Sequence, residues 1–187
     1  MLTLQQIINE ADILIPNVLA VADKVVQLNS INADYFNTVK IPKIARFTGT
    51  SGQADYVLST DVRAKNIDLV EAGVLRYLDL QTDVISPLQN TFSFDDNNST
   101  LTLSPAPYTN GLQGIVRYHR IATTTFTSGA LTAVPDAPEE YHWTYIPALA
   151  AWMAQTQDDM AKAATYEAQY RGAWNTAAEN YQKAVQG

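Results

Sequence analysis

The chain has 187 residues, of which 47% are hydrophobic and 17% charged, a balance typical of an ordered globular protein. It contains no cysteine, which excludes structural disulfides, thiolate nucleophiles and cysteine-based zinc sites. The formal net charge is −7, and phosphate-backbone binding usually requires a clustered positive surface, so the composition disfavours ordinary nucleic-acid recognition.

The N-terminal segment predicts two helices. Thr3 followed by Gln6 forms a capping-box pattern ahead of an apolar helical period, which Pro16 ends or kinks. Asn17 is expected to start a second helix, whose apolar residues begin at Val18 and recur at helical spacing up to residue 42. No basic region precedes an apolar run and no stretch reaches 18 consecutive apolar residues, so neither a signal peptide nor a membrane span is expected.

The middle of the chain changes to a strand period. The clearest hairpin has strands at 91–94 and 101–103, which bracket a polar turn at 95–99. Gly73 predicts a turn or a bulge before a strand near 75–80. The other predicted strands are at 44–48, 56–58 and 114–121.

The C-terminal segment returns to a helical period. Aromatic residues recur every three or four positions, which predicts two antiparallel helices at about 138–156 and 159–185. Pro138 is available for the first helical position, and Asp158 and Asp159 supply the second start signal. Aromatic stripes at this spacing are usually core, although tyrosine and tryptophan are also enriched at protein interfaces.

These elements predict an α+β fold, in which a helical bundle built from the N- and C-terminal helices carries a β-sheet-rich insertion. The expected division is 1–42 for the first part of the bundle, 43–135 for the insertion and 136–187 for the C-terminal helical hairpin. The three segments carry net charges of −2, −1 and −4. The acidity therefore belongs mainly to the helices, where it serves solubility or keeps a surface from adhering to DNA.

No constellation of residues predicts catalysis. His119 and His142 are the only histidines and have no metal-ligand spacing to one another, so a structural or surface role is expected for both. The pair Asp95 and Asp96 lacks the spacing of an EF-hand, and the loop 49–52 lacks the lysine of a phosphate-binding loop. We therefore expect a protein that is not an enzyme and that has no catalytic residues, no metal site and no cofactor.

Several short motifs, in their order along the chain, carry a resemblance to a known family. They are Leu4 to Asp12 with Pro16-Asn17, Asp55 to Val62, Pro105-Ala106-Pro107 before Arg117 to Arg120, Glu139 to His142, Asp158-Asp159, and Ala164 to Tyr170. Together these motifs resemble the head-to-tail adaptor proteins of tailed bacteriophages, which are also called neck, head-completion or connector proteins. Each motif is short, and the specificity lies in their order over most of the chain.

The resemblance implies a structural protein of the virion, present in the host cytoplasm during assembly and without a membrane partner. Such adaptors form a ring of about twelve copies below the portal protein, extend the DNA channel and dock the next neck or tail protein. DNA would then pass through the channel without sequence-specific binding. The implied portal or inter-subunit contacts are Trp174, Tyr181 and Val185. The implied acidic channel-lining residues are Asp158, Asp159, Glu167 and Glu179.

Two other interpretations remain open at this point. One is a different structural subunit of the tail, such as a tail terminator or a baseplate protein, with rings of sixfold or threefold symmetry. The other is a soluble module that binds carbohydrate or another ligand, with exposed aromatic side chains as stacking platforms.

Overall fold

The computed structural model describes residues 1–80 and 89–186, with side chains as far as residue 182. It divides into two compact units. The helical unit comprises Met1–Lys40 and Ala122–Gly187, and the β unit comprises Ile41–Ile121. The predicted α+β class is confirmed, since helices at both ends of the chain flank strands in the middle.

Four α-helices make up most of the helical unit. A short 3-10 helix, Glu139–Thr144, precedes the third of them. The α-helices are α1 (Leu4–Leu14), α2 (Val21–Val39), α3 (Tyr145–Thr156) and α4 (Met160–Gln186). Helix α3 packs against the other three helices, and α4 also packs against α2.

The capping box predicted for α1 is confirmed. The Gln6 backbone N–H donates to Thr3 Oγ1 at 3.3 Å, and the Thr3 backbone N–H donates to Gln6 Oε1 at 2.9 Å. Two N–H groups that would otherwise lack acceptors at the helix start are thereby paired.

The prediction that Asn17 starts the second helix is wrong, because α2 begins at Val21. The Asn17 side chain instead folds the link between the helices. Its Oδ1 accepts from the Leu19 N–H at 3.0 Å, while its Nδ2 donates to Asp12 Oδ1 and to the Ile15 carbonyl, both at 2.8 Å. Asparagine competes for local backbone groups in this way, and here the result is a turn and not a helix cap.

The helix predicted from residue 138 begins as a 3-10 turn and becomes α-helical only at Tyr145. The N-terminal side of α3 is held by Thr144, whose hydroxyl donates to the Tyr141 carbonyl at 2.6 Å. The same hydroxyl oxygen accepts from Trp174 Nε1 at 2.9 Å. This contact ties the start of α3 to the middle of α4.

A polar cluster joins α2 to residues 122–138, which form no regular element other than turns. Asp136 Oδ2 accepts from Asn32 Nδ2 at 2.9 Å and from the backbone N–H groups of Thr123 and Thr124, both at 2.8 Å. Asp136 Oδ1 accepts from the Thr124 hydroxyl at 2.6 Å, and Asn32 Oδ1 accepts from the Tyr145 hydroxyl at 2.7 Å. Polar side-chain contacts therefore attach this segment to α2, since the segment has no regular backbone hydrogen bonds of a helix or sheet.

Within its described residues, 41–80 and 89–121, the β unit forms a seven-stranded sheet with the order β1-β7-β3-β4-β5-β6-β2. Its strands are β1 (Pro42–Gly49), β2 (Asp55–Val57), β3 (Ile67–Ala72), β4 (Leu75–Asp79), β5 (Thr91–Asp95), β6 (Thr100–Ser104) and β7 (Leu112–His119). Neighbours are antiparallel except β4 and β5. The predicted hairpin is confirmed as β5 and β6, and Gly73 lies in the β3–β4 turn with φ +62°.

Alternate residues of each strand line the interior of the β unit. Val70, Val116 and Tyr118 are buried there. The rings of Phe47 and Tyr56 lie 4.4 Å apart, so side chains of the two edge strands β1 and β2 meet and the sheet curls around its core.

Candidate interaction surfaces

The structure places two of the three predicted contact residues of α4 in different environments. Trp174 is 1% exposed and belongs to the core of the helical unit, where its ring meets Tyr35 edge to face at 5.5 Å. Tyr181 is half-buried. Val185 lies outside the residues whose side chains are described. Trp174 therefore positions the helix from inside the unit, whereas Tyr181 reaches its surface.

The opposite side of α4 is exposed and carries few charges. Its residues are mostly small, and a side chain added at Gly172 would meet nothing within 4 Å. The exposed residues from the first half of the helix are Met160, Ala161, Lys162, Ala164, Thr165, Ala168, Gln169, Arg171 and Gly172. A helix with such a face can approach another backbone closely, which is a property of many helix contacts.

Two of the four predicted channel-lining residues lie in the turn between α3 and α4. Asp158 is exposed and adopts the left-handed conformation with φ 63°. Asp159 Oδ1 accepts from the Lys162 N–H at 3.1 Å and caps α4. This backbone hydrogen bond, followed by one from the Lys162 side chain, lowers the pKa of Asp159.

The other two acidic residues lie on different sides of α4. Glu167 Oε1 is 2.6 Å from Arg171 Nε, which neutralises its charge locally, while Glu179 is exposed. Twelve residues separate them, which is about 120° around the helix. The chain alone thus does not align the four carboxylates along one line.

The link between α1 and α2, together with the helix ends that flank it, carries exposed apolar side chains. Val18 is fully exposed, Ile13 is 72% exposed, and Leu14 and Val21 are each about 40% exposed. The Asn17 contacts hold this link in place. Exposed aliphatic residues in one segment commonly mark a protein contact.

Each histidine contacts a polar group within its own unit. His142 is buried, with Nε2 at 2.9 Å from the Ala137 carbonyl and Nδ1 accepting from the Leu2 N–H at 3.3 Å. His119 Nδ1 lies 3.1 Å from Asp68 Oδ2. Within the described part of the chain, no three His, Asp or Glu side chains converge where they could hold a metal ion.

None of the helices in residues 1–80 and 89–186 combines the length and apolarity needed to cross a bilayer.

A search of the curated proteins gives no match to this chain. The model of the SU10 adaptor protein family, in contrast, matches residues 2–186, which is nearly the whole sequence. This match agrees with the resemblance that the ordered motifs indicate. The chain therefore belongs to the SU10 adaptor protein family, a family consistent with phage head-to-tail adaptors.

Proposed function

We propose that this protein is a head-to-tail adaptor that forms a ring below the portal, extends the DNA channel and docks the next neck or tail component. The observation that carries the proposal is the family match over residues 2–186. An adaptor of this kind needs rigid contact surfaces and no reacting groups, which fits a chain whose described histidines are held in structural contacts.

The helical unit is the proposed bundle, and its surfaces would contact the portal and neighbouring copies. A closed ring made by identical subunits uses two different faces of each subunit. The exposed apolar link between α1 and α2 and the end of α4 near Tyr181 are surfaces of the helical unit available for contacts with the portal or a neighbouring copy. Trp174 supports the second face from the core, since it fixes α4 against Thr144 at the start of α3.

The acidic residues have a proposed role in the channel. Negative charge on the wall repels phosphates, whereas a basic wall would retain DNA through counterion release. Asp158 and Glu179 carry exposed carboxylates, while Asp159 and Glu167 are partly neutralised by Lys162 and Arg171. We therefore assign the larger share of this repulsion to Asp158 and Glu179.

Cryo-electron microscopy of purified virions tests the proposal directly. The expected result is a ring of density for this chain between the portal and the tail, with the helical unit against the portal. Density at the distal end of the tail would contradict the adaptor role and favour a baseplate subunit. Absence of the chain from the particle would contradict every role in the virion.

The channel assignment has a separate test within the same particles. Asp158→Lys together with Glu179→Lys should slow DNA ejection and make it more sensitive to salt, because the wall would attract phosphates. A reconstruction that places both side chains outside the channel would refute this assignment and leave the adaptor role intact.

A further inference from the structure

The outer face of the sheet in the β unit exposes aliphatic and arginine side chains together, a composition typical of protein interfaces. Strands β1, β7, β3 and β4 are consecutive in the sheet, and their inward positions are occupied by core residues such as Val116 and Val70. The residues between those positions point outward, because successive side chains alternate between the two faces.

The register arranges these outward residues in two cross-strand rows. One row is Ile44, Arg117 and Leu69, and the other is Arg46, Ile115, Glu71 and Arg76. We call these seven residues the outer sheet face. Three aliphatic side chains thus lie among three arginines and a single glutamate.

The apolar part of this face is accessible to solvent. Ile44 is 48% exposed, and Leu69 and Ile115 are half-buried. A cleft of about 390 Å³ opens beside this patch, with Arg46, Thr48 and Gln113 in its lining. Aliphatic residues surrounded by arginine are the composition of protein interfaces, where Arg is enriched and Lys and Glu are depleted.

The arginines of this face lack acidic partners, unlike four other cations of the described chain. Among the residues that the structure describes, no carboxylate lies within ion-pair distance of Arg46, Arg76 or Arg117. In contrast, the cations Lys24, Lys43, Lys162 and Arg171 are each within 4 Å of an acidic partner. The outer sheet face is therefore an unneutralised patch with a local charge of +2.

The helical unit has the opposite charge. It contains eleven acidic and five basic residues, a net charge of −6, whereas the β unit as a whole has a net charge of −1. Complementary potentials guide and orient protein association. An acidic helical surface therefore matches the outer sheet face, and a nucleic acid would leave its aliphatic centre without a partner.

We propose that the outer sheet face of one copy binds the acidic helical unit of a second copy. This inference rests on the proposed ring, and it names one of the two faces through which neighbouring subunits contact each other. The contact is heterologous, because a β unit meets a helical unit, and only contacts of that type close into rings of more than two copies.

A photo-crosslinker at Ile44 tests which molecule covers the face. Rings are assembled on isolated portal rings from a mixture of ¹⁴N- and ¹⁵N-labelled chains carrying p-benzoylphenylalanine in place of Ile44, and crosslinked peptides are identified by mass spectrometry. The expected product joins Ile44 of one copy to a peptide from 1–40 or 122–187 of another copy. A product with the portal overturns the inference, as does a yield no greater than from the same crosslinker at Val74, which is exposed in the β3–β4 turn.

Charge reversal measures the contribution of the arginines. Arg46→Glu with Arg117→Glu should raise the concentration needed for half-maximal ring assembly by about tenfold or more, since like charges would then face each other. The control variant, Arg63→Glu with Lys65→Glu, makes the same change in net charge within the β unit but outside the outer sheet face, and it should leave assembly within about threefold of the wild type. Circular dichroism verifies that both variants are folded.

The outcomes separate this inference from the proposed function. If the wild-type chain forms no ring with the portal, the proposed function is wrong, and the inference that rests on it is wrong as well. If the ring forms and the variant with Arg46→Glu and Arg117→Glu assembles like the control variant, the proposed function stands and the contact described here is wrong. The inference would also be overturned if the wild-type chain bound a 20-base-pair DNA duplex more tightly than the variant with Arg46→Glu and Arg117→Glu, while the two chains assembled equally well.

Discussion

Asp136 holds the polar cluster of the helical unit together, and its replacement should destabilise that unit selectively. Its carboxylate accepts four hydrogen bonds from Asn32, Thr123 and Thr124. Asp136→Ala removes all four and leaves Asn32 Nδ2, on a side chain 1% exposed, without this acceptor. A buried unsatisfied donor costs about 1–3 kcal/mol and each hydrogen bond to a charged acceptor about 1.5–3 kcal/mol, but bonds that share one acceptor are not additive. We expect a loss of about 3 kcal/mol in the free energy of unfolding.

Asp136→Asn separates the geometry of the cluster from its charge. An asparagine at this position can accept the three N–H bonds through its oxygen and donate through its nitrogen to the Thr124 hydroxyl oxygen. Only the charge is then lost, and the expected cost is about 1 kcal/mol. Asp34→Asn removes a charge from an exposed position of α2 and should cost less than about 0.5 kcal/mol.

Urea denaturation followed by tryptophan fluorescence reports on the helical unit alone, because Trp143, Trp152 and Trp174 are the three tryptophans of the chain and all belong to it. A cost below about 1 kcal/mol for Asp136→Ala would refute the reasoning, since the cluster would then contribute no more than a surface contact. Equal losses of unfolding free energy for Asp136→Asn and Asp136→Ala would also refute the reasoning, because the contribution of the hydrogen-bond geometry could not then be distinguished from that of the charge.

The same carboxylate predicts a pH dependence. Burial would raise the pKa of Asp136, but hydrogen bonds from Thr124, Asn32 and Thr123 hold the pKa below its ordinary value of 3.8. A lowered pKa in the folded state stabilises the protein fully above the ordinary value, and this contribution is lost as the pH falls through the folded value. The difference in unfolding free energy between wild type and Asp136→Asn should therefore be constant from pH 7 to pH 5 and shrink below pH 4. A difference that grows on acidification would contradict it.

Three further substitutions probe other contacts. Gly114→Ala places a Cβ within 2.4 Å of the Phe47 ring and should destabilise the β unit by about 1–3 kcal/mol, as measured by hydrogen exchange of its strands. Trp174→Phe removes the hydrogen bond to Thr144 and should cost about 1–3 kcal/mol in thermal or urea unfolding. Gly129→Ala meets nothing within 4 Å and should be neutral or stabilise by up to about 1 kcal/mol, so a loss of stability there would show that its backbone conformation matters.

Local signals explain which elements could be predicted from the sequence. The capping box at Thr3 and Gln6 and the hairpin around 95–99 depend on neighbouring residues only, and both predictions are confirmed. Asn17 shows the limit of such signals, because an asparagine before an apolar period can cap a helix or fold a turn. The contacts with Asp12 and Leu19 decide between the two, and they are visible only in three dimensions.

Contacts between distant residues could not be predicted. Asn32 and Asp136 are 104 residues apart, and no periodicity relates a polar residue of a helix to one in an irregular segment. The parallel pairing of β4 with β5 is similar, since neither strand contains a signal for the orientation of its neighbour. Among the candidate site residues, Trp174 illustrates the same difficulty, because an aromatic stripe has the same spacing whether it is core or interface.

The outer sheet face shows why an interface is harder to recognise in a strand than a core. Ile115 and Val116 are consecutive in β7, yet Val116 is fully buried inside the β unit while Ile115 points outward. Alternation divides a strand into two faces, but when both contain aliphatic residues it does not say which face the chain itself covers. A strand that carries apolar residues on both faces has one face for its own core and one for another surface. In the proposed assembly that second surface contacts a neighbouring copy, and the arginines beside Ile115 favour an acidic partner surface.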